Sequence, residues 1–190
     1  MARPRTITEE ALLGAARAVF VEKGFGASTK AIATRAGVSE ALLFQRYRTK
    51  AELFFAAMVP PPMQLEASMQ IPAKGADGQA ALGRLGWAML DYFRSAVPVL
   101  LPLMSHPDFD FESFAQNHPD SAMVAMRRNV VHFFMANRSP DPQAAALLLI
   151  ASMQSLAMFE RLGAHGGRFP DAMVRRMIGS LWRAARPEGT

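Results

Sequence analysis

The sequence contains no cysteine. This absence excludes disulfide bonds, metal sites built on thiolates and cysteine nucleophiles, and it suits a protein of the reducing cytoplasm. Charged residues are also few, at 19% against 51% hydrophobic residues. The 190 residues can therefore bury a sizeable core, and wholesale disorder is excluded. The first ten residues are basic but hold no apolar run, so we expect no signal peptide.

Positive charge is concentrated near the N-terminus. Residues 1–58 hold nine Lys/Arg and five Glu, which gives +4 of the total net charge of +5. Such a basic segment favours a polyanionic partner. Three prolines, Pro60 to Pro62, follow it, and no helix can run through them. We therefore expect a small basic domain at 1–58, a stiff proline tether, and a larger apolar domain at 59–190.

Helical periodicity dominates the sequence, and we find no alternating pattern long enough for a strand. The basic domain has four helix starts, and their predicted N-caps are Thr8, Ser28, Ser39 and Thr49. Thr49 to Glu52 has the spacing of a capping box. Further helices are predicted at about 78–95, 98–105, 119–137, 142–163 and 170–185. The predicted fold is all-α, with an N-terminal three-helix helix-turn-helix bundle followed by a larger helical domain.

The helix-turn-helix is predicted from small residues around a glycine turn. Ala33 and Ala36 allow two helices to cross at close range, and Gly37 takes a left-handed conformation that other residues resist. Val38 fills the wedge between the helices, and Ser39 leaves free N–H groups at the start of the next helix, which suits a phosphate. The charge and the motif together favour DNA binding over a helical hairpin in an all-α enzyme.

Residues 8–58 resemble the DNA-binding domain of the TetR family of bacterial transcriptional regulators. The matching residues are Ala15, Ala16, Phe20, Gly24, Phe25, Ile32, Ala33, Ala36, Gly37, Val38, Ser39, Leu43, Tyr47, Lys50 and Leu53. The resemblance implies a homodimer, with a C-terminal helical domain for ligand binding and dimerisation. This sequence departs from the family pattern at Phe44, where Tyr is usual, at Arg46, where His or Tyr is usual, and at Ala41, where Gly is usual.

The resemblance assigns DNA contacts position by position. Thr29 and Lys50 match phosphate contacts of the family, Arg46 and Arg48 add charge nearby, and Ser39 caps the reading helix. The residues expected to face the groove are Lys30, Ala41, Leu42 and Gln45, of which Gln45 can bind adenine and Lys30 can donate to guanine. Alternatives remain for several of these: Arg48 could be merely solvated and Leu42 could pack on the second helix. Leu43 and Tyr47 are expected in the core, and Phe44 could join them.

The middle helices are rich in Met and aromatic residues, which suits an adaptable apolar cavity. The candidate ligand-binding residues are Trp87, Met89, Phe93, Met104, Met126 and Phe133. The alternative is a packed core without a pocket. We expect coupling between ligand and DNA to pass through Phe20, Phe54 and Met58.

The predicted helix at 142–163 is apolar nearly all round. By the resemblance, the last two long helices pair with their copies across a two-fold axis. The candidate dimerisation residues are Leu147, Ala151, Met158, Met177 and Leu181. An intramolecular core is the alternative. A membrane span is the less favoured alternative, because polar residues interrupt the uncharged stretch and no basic flank precedes it.

A cluster of acids and histidines raises the possibility of a metal-dependent enzyme. Its members are His106, Asp108, Asp110, Glu112, His118 and Asp120, in a segment expected to be a loop between Pro107 and Pro119. Their spacing fits none of the helix-borne metal motifs, so we expect no metal, no cofactor and no catalysis.

The sequence thus predicts a cytoplasmic, homodimeric TetR-like repressor that binds a pseudo-palindromic operator in double-stranded DNA and is released by a small apolar or aromatic effector. Two alternatives stay open: a helical ligand carrier or metal-dependent enzyme whose basic module is incidental, and a DNA binder without an effector. The sequence does not identify the operator, the regulated genes or the effector. It also does not decide whether the protein represses or activates transcription, or whether one or two dimers bind the operator.

Overall fold

The computed structural model describes residues 7–60, 77–117, 122–164 and 166–186. Within these residues all the regular structure is helical, which confirms the predicted all-α class. The helices are α1 (Glu9–Lys23), α2 (Thr29–Ala36), α3 (Glu40–Arg46), α4 (Lys50–Ala57), α5 (Gly78–Met104), α6 (Phe111–Asn117), α7 (Ala122–Ala136), α8 (Pro142–Leu162) and α9 (Asp171–Ala184).

All four predicted N-caps of the basic domain are confirmed. The side chains of Thr8, Ser28, Ser39 and Thr49 each accept a hydrogen bond from the backbone N–H three residues later, at 3.0–3.2 Å. Each bond satisfies a donor that has no partner inside its helix. The predicted capping box at Thr49 differs in one bond, because the Glu52 carboxylate accepts from the backbone N–H of Arg48 at 2.8 Å.

The two glycine helix ends differ in conformation. Gly37 is left-handed, with φ 67° and ψ 31°, so the turn between α2 and α3 has the predicted geometry. Gly24 has φ 68° but ψ −172°, so it ends α1 outside the left-handed helical region, and its positive φ favours glycine there.

Contacts between residues divide the chain into two compact units. The first unit extends to Pro60 and also includes Pro98–Phe111, while the second includes the residues up to Val97 and those from Glu112 onward. In the first unit, α1 packs on α2 and α4 around Leu12, Phe20, Ile32 and Phe54, whose exposure is zero. The contacts thus add a later segment of the chain to the predicted basic domain.

Helix α5 is continuous where two helices were predicted. Pro98 and Pro102 lie inside it, although each ring removes a hydrogen bond and disfavours the preceding turn by about 3 kcal/mol. Val97, Val99 and Leu103 around these prolines are buried, and their packing offsets that cost. The predicted break at 95–98 is therefore wrong.

The segment after α5 also differs from the prediction. Residues expected to form a loop up to Pro119 include helix α6. The predicted start of the next helix, at about 119, lies outside the described residues. Residues 118–121 lie outside the described part of the chain. Pro61 and Pro62 also lie outside it, so the predicted proline tether stays a prediction.

In the second unit, α8 packs against α7 and α9, and one buried ion pair joins α5 to α8. The Arg94 guanidinium donates two bonds to the Glu160 carboxylate, at 2.8 and 2.9 Å, and Glu160 also accepts from the Phe169 N–H at 3.0 Å. The Arg94 bonds lower the pKa of Glu160, against the opposing effect of burial. A close approach of α5 to α9 is made possible by Gly86, since a Cβ there would lie 2.7 Å from Ile178 Cδ1.

Candidate nucleic-acid interface

Helix α3 divides cleanly into a buried and an exposed side. Leu43 and Tyr47 are buried, as predicted. Ala41, Phe44 and Gln45 are exposed, so the open possibility that Phe44 belongs to the core is wrong. The exposed side holds two of the four residues predicted to face the groove.

The remaining DNA-binding candidates of α2 and α3 differ in exposure. Lys30 is exposed in the first turn of α2. Leu42 is half-buried, which fits partial packing and leaves part of the side chain accessible. Ser39 is exposed, but its hydroxyl oxygen is already used to cap α3 through the Leu42 N–H.

Thr29 makes a contact that the sequence did not predict. Its hydroxyl donates to the Glu40 carboxylate at 2.6 Å, which links the first residues of α2 and α3. Glu40 is exposed and places a negative charge beside the predicted phosphate contact. A pair of residues eleven apart on two different helices leaves no signal in local sequence patterns, so this acid was missed.

Arg46 is held by the start of α1. Its guanidinium donates to the Glu9 carboxylate at 3.1 Å and to the Ile7 carbonyl oxygen at 3.0 Å. The Tyr47 hydroxyl donates to the other oxygen of Glu9. The structure therefore places Arg46 in a network that joins α3 to α1, and does not leave it free beside the exposed side of α3.

Arg48 and Lys50, the two cations near the start of α4, differ in exposure. Arg48 is exposed and lies between α3 and α4. Lys50, at the first position of α4, is half-buried, and its Nζ lies 4.7 Å from the centroid of the Phe25 ring. A cation over an aromatic face is attracted by the ring while its remaining hydrogens stay available. Lys50 is thus both positioned and still able to donate.

An aromatic cluster lies in the same unit as Lys50 and includes Phe25, the ring that Lys50 contacts. Phe25, Phe54 and Phe55 surround the His106 ring at centroid distances of 4.3–5.2 Å. His106 Nδ1 accepts from the Asp108 N–H at 3.1 Å, and its buried Nε2 has no hydrogen-bond partner among the described residues. The sequence raised His106 as a possible metal ligand, but the structure surrounds it with phenyl rings. Within the described ranges no group of three acids or histidines could hold a metal ion, and His118 and Asp120 lie outside them.

The six ligand-binding candidates do not all lie in one unit. Met89, Phe93, Met126 and Phe133 are buried in the second unit, and Trp87 is half-buried there. Met104 belongs to the first unit and is 59% exposed.

The dimerisation candidates lie on or beside an exposed apolar face. On α8, Leu147, Leu148, Ala151, Phe159 and Leu162 are exposed and recur at helical spacing, and we call this set the α8 stripe. Met158, Met177 and Leu181 are half-buried. Within the described ranges, α8 is also the one helix long and apolar enough to cross a membrane, which is weak evidence because seven of its residues are buried in the second unit.

Residues 12–57 match the sequence model of the bacterial regulatory proteins of the tetR family. This N-terminal domain belongs to the tetR family of bacterial regulatory proteins. The match extends from α1 to the end of α4 and confirms the resemblance carried by the helix-turn-helix residues. No curated protein sequence matches this chain.

The TetR-like fold extends over nearly the whole chain. A TetR-like transcriptional regulator from Rhodococcus sp. RHA1 has a TM-score of 0.65 and 22% identity, covering 96% of this chain and 97% of its own. NalD from Pseudomonas aeruginosa, the secondary repressor of the MexAB-OprM multidrug efflux pump, has 0.59 and 22%, covering 94% and 97%. FadR from Bacillus subtilis, in complex with stearoyl-CoA, has 0.62 and 12%, covering 93% and 96%.

Proposed function

We propose that this TetR-family protein is a cytoplasmic repressor that binds a pseudo-palindromic operator as a homodimer and leaves it when a small apolar or aromatic effector binds. The observation that carries the proposal is the exposed side of α3, where Ala41, Phe44 and Gln45 project from a helix that is otherwise anchored in the core. Lys30 and Arg48 lie exposed on either side in sequence. Such a surface suits a helix in the major groove between two phosphate backbones.

The proposed DNA contacts fall into two classes, contacts to bases and contacts to phosphates. Gln45 is exposed and can make two hydrogen bonds to adenine, while Lys30 can donate to guanine. Lys50 and Arg48 serve the phosphates, which supply affinity without sequence preference. Since the Thr29 hydroxyl proton is directed to Glu40, we assign the phosphate contact at this position to the free backbone N–H groups of the first turn of α2.

Dimerisation is supported by the α8 stripe. Its leucines are more than half exposed, at 68% for Leu147 and 64% for Leu162. Contiguous apolar surface of this kind marks interaction sites on soluble proteins. Pairing the stripe with a second copy would cover it and would bring two helix-turn-helix units together. Two such units read half-sites about 34–36 Å apart, or a multiple of that distance.

Effector binding is assigned to the second unit. Met89, Phe93, Met126 and Phe133 supply flexible thioether chains and phenyl rings in its interior, and these adapt to apolar ligands. The repressor NalD and the stearoyl-CoA complex of FadR have the same fold. An effector can weaken operator binding only by as much as its affinity for the conformation that does not fit DNA exceeds its affinity for the conformation that does.

The proposal is tested by the DNA that the protein itself selects. Purified protein is incubated with genomic fragments of its source organism, and the retained fragments are sequenced and assayed at 50 and 200 mM salt. We expect a common pseudo-palindrome bound far more tightly than random DNA of the same length. Equal binding of both would instead support a helical protein whose basic module is incidental. A thermal-shift screen with apolar ligands then separates a repressor with an effector from a DNA binder without one.

A further inference from the structure

Phe44 is a large apolar side chain that the fold leaves in water. It lies on α3, and 47% of it is exposed. The helix does not need it for packing, because Leu43 and Tyr47 already fill the buried side. An exposed phenyl ring gains free energy from any partner that removes it from water, and the gain grows with the apolar area covered.

The residues beside Phe44 define what that partner must offer. Ala41 is exposed three residues earlier on the same side and is small, so a surface can approach the ring closely. Gln45 follows directly and is exposed, so hydrogen-bonding groups must lie next to the apolar contact. Lys30 and Arg48 are exposed on the flanking segments, so negative charge must lie outside both.

The major groove at A·T pairs combines these three properties. A thymine shows an apolar C5 methyl group there, an adenine shows a donor and an acceptor suited to glutamine, and phosphates line both edges. A phenyl ring has no donor, so Phe44 cannot make the phosphate contact expected of a tyrosine at this position.

We propose that Phe44 is a specificity residue that packs on the C5 methyl of a thymine, next to the adenine read by Gln45. Phe44 and Gln45 lie three and four residues after Ala41, so both project from the same exposed side of α3. We therefore expect them to reach nearby base pairs, and each half-site to contain a run of A·T pairs at this point. The inference rests on the proposed function, since it assigns one base of the operator.

The test removes single methyl groups from the DNA. In the fragment that the protein selects, each thymine is replaced in turn by deoxyuridine, which keeps every hydrogen bond and lacks only the C5 methyl. One thymine in each half-site should prove sensitive. The loss should be about fourfold per half-site, the equivalent of one apolar carbon group returned to water.

Variants then assign that methyl to Phe44. Phe44→Ala should bind the thymine and deoxyuridine fragments equally at this position, while Phe44→Leu, which keeps an apolar contact, should still prefer thymine. Lys50→Ala is the matched control: it should weaken both fragments equally and keep the fourfold preference. Because Phe44 is exposed, these variants should fold, and circular dichroism checks that they do.

Each outcome has a separate meaning. A protein that binds its selected fragment but is indifferent to every deoxyuridine overturns this inference and leaves the proposed function intact. The same is true if Phe44→Ala keeps the full deoxyuridine profile of the unchanged protein. A protein that selects no fragment at all overturns the proposed function itself.

Discussion

The Arg46 guanidinium lies 3.1 Å from the Glu9 carboxylate, and this ion pair joins the end of α3 to the first turn of α1. A second bond to the Ile7 carbonyl oxygen fixes the side chain on α1. Arg46 stands where the family pattern usually has His or Tyr, and the sequence predicted that it adds charge near the phosphate contacts. Its partners in the structure favour a positioning role instead.

Arg46→Ala should therefore act on stability more than on salt dependence. We expect the free energy of unfolding to fall by about 1 kcal/mol, since the ion pair is partly exposed. Urea unfolding measures this loss. The slope of operator affinity against salt should stay unchanged, and a drop of one unit would restore Arg46 to the phosphate contacts.

Lys50→Ala and Gln45→Ala should have different effects on DNA. Lys50→Ala should weaken all sequences about equally and reduce the salt slope by about one unit, because one phosphate contact is lost. Gln45→Ala should change which base is preferred at one position. Selection from a random DNA library compares them, and the same sequence-independent loss in both would mean that the reading face is assigned wrongly.

Ala151→Arg should separate the proposed dimer into folded monomers. Ala151 is exposed in the single chain, so the charge is tolerated there, but burying it unpaired between two copies costs several kcal/mol. Leu181→Arg tests α9 in the same way. Ala80→Arg places the same charge at an exposed position of α5 and should leave the mass measured by sedimentation unchanged. A folded Ala151→Arg protein that remains dimeric would place the dimer interface elsewhere.

The Arg94–Glu160 pair should make the free energy of unfolding depend on pH in the acidic range. The folded state holds the pKa of Glu160 below its ordinary value of 4.5, so the stabilisation is fully present above pH 4.5 and is lost as the pH falls through the lowered pKa. Glu160→Gln should lower the free energy of unfolding at pH 7 by about 3 kcal/mol and flatten this acid dependence. Asp91→Asn is the control, because Asp91 contacts Arg94 from a largely exposed position.

His106→Ala should weaken the DNA-binding unit although the residue is far from the helix-turn-helix in sequence. The substitution leaves a cavity between Phe25, Phe54 and Phe55, so we expect a loss of about 2–4 kcal/mol, as for other large core residues. His106→Leu should lose less, because leucine refills most of the cavity and gives up only the bond from the Asp108 N–H to Nδ1. Ser105→Ala changes the adjacent exposed residue and should have little effect. Equal loss in the alanine and leucine variants would assign a polar role to the ring.

The sequence predicted the features that depend on neighbours along the chain. The caps at Ser28 and Ser39 and the left-handed Gly37 follow from a few adjacent residues, and all are confirmed. The Arg46–Glu9 and Thr29–Glu40 bonds join residues on different helices, so no local pattern could indicate them. Continuity of α5 through Pro98 was missed because tertiary packing offset a local preference.

The same distinction applies to the candidate site. Ala41 and Gln45 were predicted to face the groove from the family resemblance, and both lie on the exposed side of α3. The aromatic cluster was not predicted, since the His106 ring comes from a segment about fifty residues after Phe54 and looked like part of an acidic loop.

The return of residues 98–111 to the first unit sets the order in which the protein can fold during synthesis. Until those residues leave the ribosome, Phe54 lacks the His106 ring that stacks on it at 5.2 Å. At roughly 5–20 residues per second, completing the unit takes several seconds beyond the synthesis of residue 60. The first unit is therefore complete only after a segment from the middle of the chain has been made, and a fragment that ends at residue 60 would lack part of its own core.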